Sequence, residues 1–253
     1  MLDMFSLEGK TAIVTGGNRG LGNGMAHALC EAGAEIVIFA SSDSVFDAAK
    51  ALQEEGYKAS GMKVDLSNRA EVEKVFASAL EALGGRLDIL VNNAGTQRRN
   101  PVEDFTFEDW DTVLQVNLSS VFQMCQLAGR IMLKQGKGKI INVASMLSFF
   151  GGFTVAAYAA SKGGVAQLTK ALTNEWAGKG ININAIAPGY MDTEMNTKLI
   201  EDKGRNAEIS ARIPMHRWGT SDDMKGITIF LASEASNYLS GAIIPVDGGY
   251  LVK

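Results

Sequence analysis

The chain has 253 residues, 46% hydrophobic and 21% charged, which are ordinary globular values; a chain this long buries about 70–75% of its unfolded surface, so disorder, collagen and coiled coil are excluded. Lys and Arg number 24 against 28 Asp and Glu, a formal charge of −4 with no basic block, so no nucleic acid partner is expected. The one skew is 28 glycines against four prolines, where average usage gives roughly 18 glycines, and such a surplus marks places where backbone turns tightly or approaches something closely.

The opening MLDMFSLEGK carries Asp3 and Glu8 ahead of any apolar stretch, unlike a signal peptide, and no run reaches the roughly 18 apolar residues of a membrane span. A cytoplasmic protein without membrane contact is the expectation. Thr11–Thr15 (TAIVT) reads as a first strand and runs straight into Thr15-Gly16-Gly17-Asn18-Arg19-Gly20-Leu21-Gly22 and a helix over Leu21–Ala32. Glycines there let backbone approach a pyrophosphate, while the helix N-terminus offers free N–H groups and a positive dipole end. The spacing Gly16-x-x-x-Gly20-x-Gly22 is not the usual G-x-G-x-x-G, so a plain tight turn is the alternative reading. Gly33 stands where that helix needs a left-handed stop.

The second strand, Glu35–Phe39, ends on Ala40-Ser41-Ser42, with Asp43 only afterwards. A carboxylate ending this strand would hold the adenosine ribose and repel a 2′-phosphate. Its absence, with Arg19 free to pair with a phosphate, leans the local chemistry to NADP. A helix over Ser44–Glu55 leads to a third strand, Ala59–Val64, which ends at Asp65 and Leu66. After a helix over Arg69–Leu83, stopped by Gly84 and Gly85, the fourth strand Asp88–Val91 delivers Asn92-Asn93-Ala94-Gly95. These polar groups and another close-approach glycine extend one elongated groove.

Thr106, three residues before Asp109, starts a long helix over Phe107–Lys134 as a capping-box variant. Asn117 lies in its middle among Val113, Leu114, Val116, Leu118 and Val121. Asparagine is unfavourable there, so it marks either a kink or exposed face, or a polar group that holds a water near Lys162. The fifth strand, Lys139–Val143, ends at Ser145, and Tyr158 and Lys162 follow on a helix over Ala157–Lys179. Residues at i and i+4 share a helix face, and an adjacent cation would lower the phenol's pKa from near 10 toward a working acid or base. A sixth strand, Ile181–Ile186, leads to Pro188-Gly189. The stretch Gly189–Gly219 has no clear period and reads as a mobile cover over the sheet edge rather than core. Thr220 precedes Asp223 as a second capping variant, a helix covers Asp222–Ala232, and Ala242–Val246 closes the chain as the seventh strand. Cys30 and Cys125, far apart in helix-like sequence, read as buried fillers rather than a disulfide or metal site.

Apolar runs without alternation suit strands covered on both faces, and their regular exchange with helices, without a composition break, argues for one domain over residues 1–253. The fold class is α/β, a single doubly wound parallel sheet of about seven strands with helices on both faces. Its strand C-termini lie along one edge, where open α/β sheets bind ligands.

Together, T-G-x-x-x-G-x-G (Thr15 to Gly22), Asp65, N-N-A-G (Asn92 to Gly95), Asn117, Ser145, Tyr158-x-x-x-Lys162, Pro188-Gly189 and Val246-Asp247-Gly248-Gly249 resemble the short-chain dehydrogenase/reductase family over nearly the whole chain. The resemblance implies a Rossmann-type sheet, an NAD(P) cofactor and a catalytic set of Asn117, Ser145, Tyr158 and Lys162. Tyr158 would exchange the proton, Ser145 would bind the substrate oxygen, Lys162 would tune Tyr158 and hold the nicotinamide ribose, and Asn117 would support a water relay. Cofactor contacts are implied at Gly16, Asn18, Arg19, Gly20, Leu21, Gly22, Ser41, Ser42, Asp65, Leu66, Asn93, Ala94, Gly95, Tyr158, Lys162, Pro188, Gly189, Met191 and Thr193. The stretches Ile141 to Phe149, Ala187 to Met191 and Arg98-Arg99 narrow the likeness to sugar-acid dehydrogenases of the 2-dehydro-3-deoxy-D-gluconate, 2-deoxy-D-gluconate and gluconate type. Those relatives lean to NAD. The substrate side would comprise Arg98, Arg99, Ser145, Met146, Leu147, Tyr190 and Arg217, with one arginine's forked donors on the carboxylate. A 3-oxoacyl-carrier-protein reductase and a non-catalytic cofactor-binding scaffold are the rival readings. The long helices Phe107–Lys134 and Ala157–Lys179, apolar on more than one face, point to a second burial partner, and the resemblance implies a homotetramer.

Overall fold

Strand β1 (Thr11–Thr15) is buried at every position because successive side chains enter different cores. Ile13 packs on one face of the sheet with Val37, Phe39, Leu90 and Ile140, while Ala12 and Val14 pack on the other with Ile36, Ile38, Ile141 and Val143. This is the reason for unbroken apolar runs where a half-exposed strand would alternate. The computed structural model describes residues 2–252, and it places seven strands in one sheet in the order β3-β2-β1-β4-β5-β6-β7, all neighbours parallel. The others are β2 (Glu35–Ala40), β3 (Ala59–Lys63), β4 (Ile89–Asn92), β5 (Gly138–Val143), β6 (Ile181–Pro188) and β7 (Ile243–Val246). Each lies within two residues of its predicted bounds. β1 pairs with β2 on one side and β4 on the other, so the winding reverses between β1 and β4 and opens a crevice at their C-terminal ends.

Helices α1 (Gly20–Glu31), α2 (Ser44–Glu54) and α9 (Lys225–Ala232) cover one face through Met25, Leu29, Leu52 and Leu231. Helices α3 (Arg69–Ala82), α5 (Ser120–Gln135) and α6 (Ala156–Trp176) cover the other through Phe76, Met124, Met132 and Leu172. Gly33 ends α1 at φ +104°, a conformation that only glycine adopts readily. Asn68 caps α3 by accepting from the Glu71 N–H at 3.2 Å. Thr106 caps α4 (Phe107–Leu114) by accepting from the Asp109 N–H at 3.1 Å. At Thr220 the polarity is the reverse of a Thr cap: its N–H and hydroxyl donate to the Asp223 carboxylate at 2.7 and 3.2 Å.

Two departures from the sequence reading concern the functional edge. The long helix expected over 107–134 is interrupted by a π-helical turn at Gln115–Ser119. The stretch 189–219, read without a period, contains two helices: α7 (Thr197–Glu201) and α8 (Lys203–Arg212) occupy it, and Ile209 and Ile213 are buried against Met146 and Tyr250 in a small core of their own. The stretch shows no clear period, yet two apolar residues spaced four apart suffice to bury one side of it. Cys30 and Cys125 are both buried free thiols, and burial pushes each pKa up to about 12, so neither is a reactive thiolate. Among the described residues, no helix is long and apolar enough to cross a membrane.

Candidate active site

At the switch point the turn after β1 is stitched to the end of β4. The Thr15 hydroxyl accepts from the Asn93 and Ala94 N–H groups at 3.0 and 3.1 Å, and the Asn93 amide donates to the carbonyls of Thr15 and Gly16 at 3.1 and 3.0 Å. Gly16 and Gly22 are glycines for the sake of this packing. A Cβ on Gly22 would stand 2.1 Å from the Gly16 carbonyl oxygen and 2.3 Å from the Asn93 amide nitrogen. Gly20, in contrast, faces outward, its nearest neighbour being Thr193 at 3.7 Å. Arg19 occupies the N-cap of α1 without capping it, which leaves the N–H groups of the first turn open to an anion.

From this turn a groove of about 1450 Å³ runs along the sheet edge. Gly16, Asn18, Arg19, Gly20, Leu21 and Gly22 line it at one end with Ser41, Ser42, Asp65 and Leu66; Asn93, Ala94, Gly95, Ser145, Tyr158, Lys162, Pro188, Gly189, Met191 and Thr193 continue it. Every residue that the resemblance implied for the cofactor thus borders one space. The uncapped helix start, the outward Gly20 and the volume of the groove fit a dinucleotide. At the end of β2 the Asn18 amide donates to the Ser44 hydroxyl at 2.8 Å, and Asp43 is drawn onto Lys63 at 2.9 Å.

Ser145 follows β5 in extended conformation, with its hydroxyl accepting from the Leu147 N–H at 3.1 Å. Ser148, which sequence reasoning passed over, accepts from the Ser145 N–H at 3.3 Å and donates to the Lys162 carbonyl at 2.7 Å. It joins the strand that carries Ser145 to the helix that carries Tyr158 and Lys162; a serine three residues beyond Ser145 was its only sequence signal. On α6 the Lys162 ammonium lies 5.7 Å from the centre of the Tyr158 ring and donates to the Val143 carbonyl at 2.6 Å. Burial pushes its pKa down to about 8.

Tyr158 departs from the sequence argument. Burial holds its hydroxyl above the ordinary 10, against opposing pulls from the Ser145 hydroxyl and then the Arg99 guanidinium. Lys162 is not among those pulls; its ammonium donates to the Val143 carbonyl. At neutral pH Tyr158 is therefore a protonated phenol poised as an acid.

Asn117 is wholly buried in the π turn. Its Oδ1 accepts from the Thr96 N–H at 2.8 Å, and its Nδ2 donates to the Thr96 carbonyl at 2.9 Å and the Ser161 hydroxyl at 3.1 Å. The π turn is the kink that a mid-helix asparagine allowed, and it aims the amide across the loop after β4. Asn117 backs the groove without bordering it; a Cβ on the intervening Gly95 would stand 3.4 Å from its Oδ1 and 3.8 Å from the Lys162 ammonium.

The substrate-side residues separate. Arg98 and Arg99 border the groove. Arg98 is engaged by Asp109 at 3.2 Å and by the Thr96 hydroxyl at 3.1 Å, whereas no carboxylate pairs with Arg99 among the described residues. Arg217 does not border the groove: both its terminal nitrogens donate to Asp223 at 2.7 Å, which holds that carboxyl far below its usual range. Met146, Leu147 and Tyr190 also lie outside the lining. Met146 is buried against α8, and Tyr190 sits in an aromatic cluster with its ring centre 5.3 Å from those of Trp218 and Tyr250. Gln97, Gln115 and Lys198 border the groove and carried no sequence signal.

A family model described as Enoyl-(Acyl carrier protein) reductase matches residues 16–251. The chain is 50% identical over 252 residues to 2-dehydro-3-deoxy-D-gluconate 5-dehydrogenase of Bacillus subtilis (strain 168), covering 99% of this chain and 98% of that one. It is 46% identical over 257 residues to the Escherichia coli (strain K12) protein of the same name, over the full length of both. The crystal structure of a gluconate 5-dehydrogenase from Burkholderia cenocepacia J2315 in complex with NADP and tartrate superposes with a TM-score of 0.95 at 42% identity, covering 100% of this chain and 99% of that one.

Proposed function

This chain belongs to the short-chain dehydrogenase/reductase family, and from that premise we propose that it transfers a hydride between NAD(P) and a secondary alcohol or ketone of a sugar acid of the 2-dehydro-3-deoxy-D-gluconate or gluconate type. The observation that carries the reading is the convergence of Ser145, Tyr158 and Lys162 on the groove that starts at the glycine turn, with Arg98 and Arg99 at its border. The nicotinamide, when bound, takes up or gives the hydride at the carbinol carbon.

The protein's own groups manage the proton and the substrate. In ketone reduction the Tyr158 hydroxyl gives its proton to the oxygen that becomes the alcohol; in oxidation the phenolate removes that proton. Ser145 has one lone pair occupied by the Leu147 N–H, which leaves its O–H free to donate to the substrate oxygen and keeps the donor aimed. Asn117 holds the loop after β4 against α6, and we assign it the support of the proton route past Lys162. Turnover of NADH and NADPH against a panel of keto sugar acids, with 3-oxoacyl and enoyl thioesters beside them, tests the reading. Turnover of thioesters alone would replace the sugar acid by an acyl substrate, and turnover of nothing would favour a binding scaffold.

We assign the substrate carboxylate to Arg99, because its fork is unclaimed while Asp109 and Asp223 hold the other two. Arg99→Ala is expected to raise KM for the sugar acid at least about tenfold with kcat little changed, since a charge-assisted pair contributes on the order of 1.5–3 kcal/mol. Arg217→Ala leaves KM unmoved in the same assay. A KM raised by Arg217→Ala and not by Arg99→Ala would reverse the assignment.

Lys162 is assigned to the nicotinamide ribose, so cofactor affinity is expected to follow its charge. The ammonium form is complete below about 8 and lost above it, and the Kd of NADPH, followed by fluorescence, rises as pH passes through about 8. Lys162→Met removes that break. A wild-type Kd that is level from pH 7 to 9 would contradict the role.

For the cofactor, NADP is the favoured form on local chemistry: Arg19, Ser41 and Ser42 border the adenosine end and Asp43 is held by Lys63. The reading also carries a cytoplasmic homotetramer. Phe107 at 85% and Phe122 at 47% exposure, on α4 and α5, are apolar side chains that a second copy would cover, and light scattering on the purified protein gives the mass.

A further inference from the structure

One ion pair crosses the groove at its glycine-turn end. Arg19 Nη1 meets Glu194 Oε2 at 2.5 Å, and both residues border the groove. The backbone brings them together: Arg19 is extended at the N-cap of α1, and Glu194 follows Thr193, which rests over Gly20. Of the other charged groups at this end, Lys63 holds Asp43 at 2.9 Å, and Asp65 accepts from the Ser67 N–H and hydroxyl at 2.8 Å each. An anion arriving beside Ser41 and Ser42 therefore meets a guanidinium whose charge a carboxylate already answers.

We propose that Glu194 determines cofactor discrimination: by holding Arg19 it weakens the grip on the 2′-phosphate of NADP and leaves NAD, which has a hydroxyl there, unaffected. The inference rests on the reading of Arg19 as the 2′-phosphate partner and adds a competitor to it. A phosphate monoester carries up to two negative charges, so placing it on Arg19 displaces the carboxylate and leaves like charges close together. Both side chains are about 70% exposed, so the pair itself adds little to stability, and salt screens its effect on an incoming phosphate. Glu194 carries no part of the proton chemistry, and its place at the start of the folded cover, 175 residues from Arg19, makes cofactor choice depend on how the cover sits.

The test is fluorescence titration of the whole enzyme with NADPH and NADH, for wild type, Glu194→Gln, Arg19→Ala and the double variant, at low and high salt. Glu194→Gln is expected to tighten NADPH about 3- to 10-fold, to move NADH less than about twofold, and to lose most of its gain at high salt. In the Arg19→Ala background the same change moves NADPH less than about twofold, because the group that Glu194 competes for is gone. If Arg19→Ala weakens NADPH selectively but Glu194→Gln leaves the NADPH to NADH ratio unchanged, the role of Glu194 is overturned and the reading of Arg19 stands. If Arg19→Ala leaves the ratio unchanged, both are overturned. A gain for NADPH that persists in the double variant would show Glu194 acting without Arg19 and would equally overturn the proposal.

Discussion

Tyr158→Phe is expected to lower turnover of the keto sugar acid about a hundred- to ten-thousand-fold, the usual contribution of a positioned acid or base, with NADPH affinity within about twofold of wild type. The change removes one oxygen and keeps the ring beside Lys162, so the hold of Lys162 on the Val143 carbonyl is undisturbed. The Ser145 loop keeps the bonds that shape it, from the Leu147 N–H to the Ser145 hydroxyl and from the Ser148 hydroxyl to the Lys162 carbonyl, when the phenol oxygen is lost. The hydroxyl lost is one that burial keeps protonated at neutral pH, so what disappears is the acid of ketone reduction. Steady-state kinetics beside a fluorescence titration separate turnover from binding. Full turnover by the phenylalanine variant would end the assignment of Tyr158.

Gly22→Ala is expected to disrupt the turn after β1. A methyl group 2.1 Å from the Gly16 carbonyl oxygen and 2.3 Å from the Asn93 amide cannot be housed without moving the turn or breaking the stitch to β4. Neither neighbour is the free end of a flexible chain. Overpacking costs about 1–3 kcal/mol, and about 2–4 °C of Tm per kcal/mol in a chain of this size gives a fall of roughly 2–12 °C. NADPH affinity should fall with it, because the displaced turn is the floor of the groove. Gly226→Ala on α9, where nothing lies within 4 Å of the new methyl, is the matched comparison and should hold or raise Tm through helix propensity. Equal Tm values for the two variants would show that the turn yields more easily than its contacts indicate.

The glycine turn illustrates how far neighbouring residues carry an argument. Its place between β1 and α1, and hence the groove, followed from a strand, a run of glycines and a helix in succession. The division of labour among those glycines did not: Gly22 packs on a carbonyl within the turn and on Asn93, which arrives from β4. Asn117 gives the same lesson. A polar residue amid apolar ones announced something unusual, but the π turn depends on where Thr96 and Ser161 meet the amide. The arginines show the limit. Arg98, Arg99 and Arg217 were equivalent on paper, and only Arg99 is left without a carboxylate partner among the described residues.

What the sequence by itself determined is whatever its short-range periods encode. Unbroken apolar runs specified strands buried on both faces, an i, i+4 spacing placed Tyr158 and Lys162 on one side of a helix, and glycines marked the crevice at the strand ends. What only the tertiary structure decided is which side chains meet across irregular backbone: Ser148 between Ser145 and Lys162, Arg217 committed to Asp223, α8 docked through Ile209 and Ile213, and Glu194 over Arg19. Irregular backbone has no period from which a side chain's direction follows. A charge in it takes its partner from the packing of the whole chain, and here that packing leaves Arg99 facing the groove and turns Arg217 away.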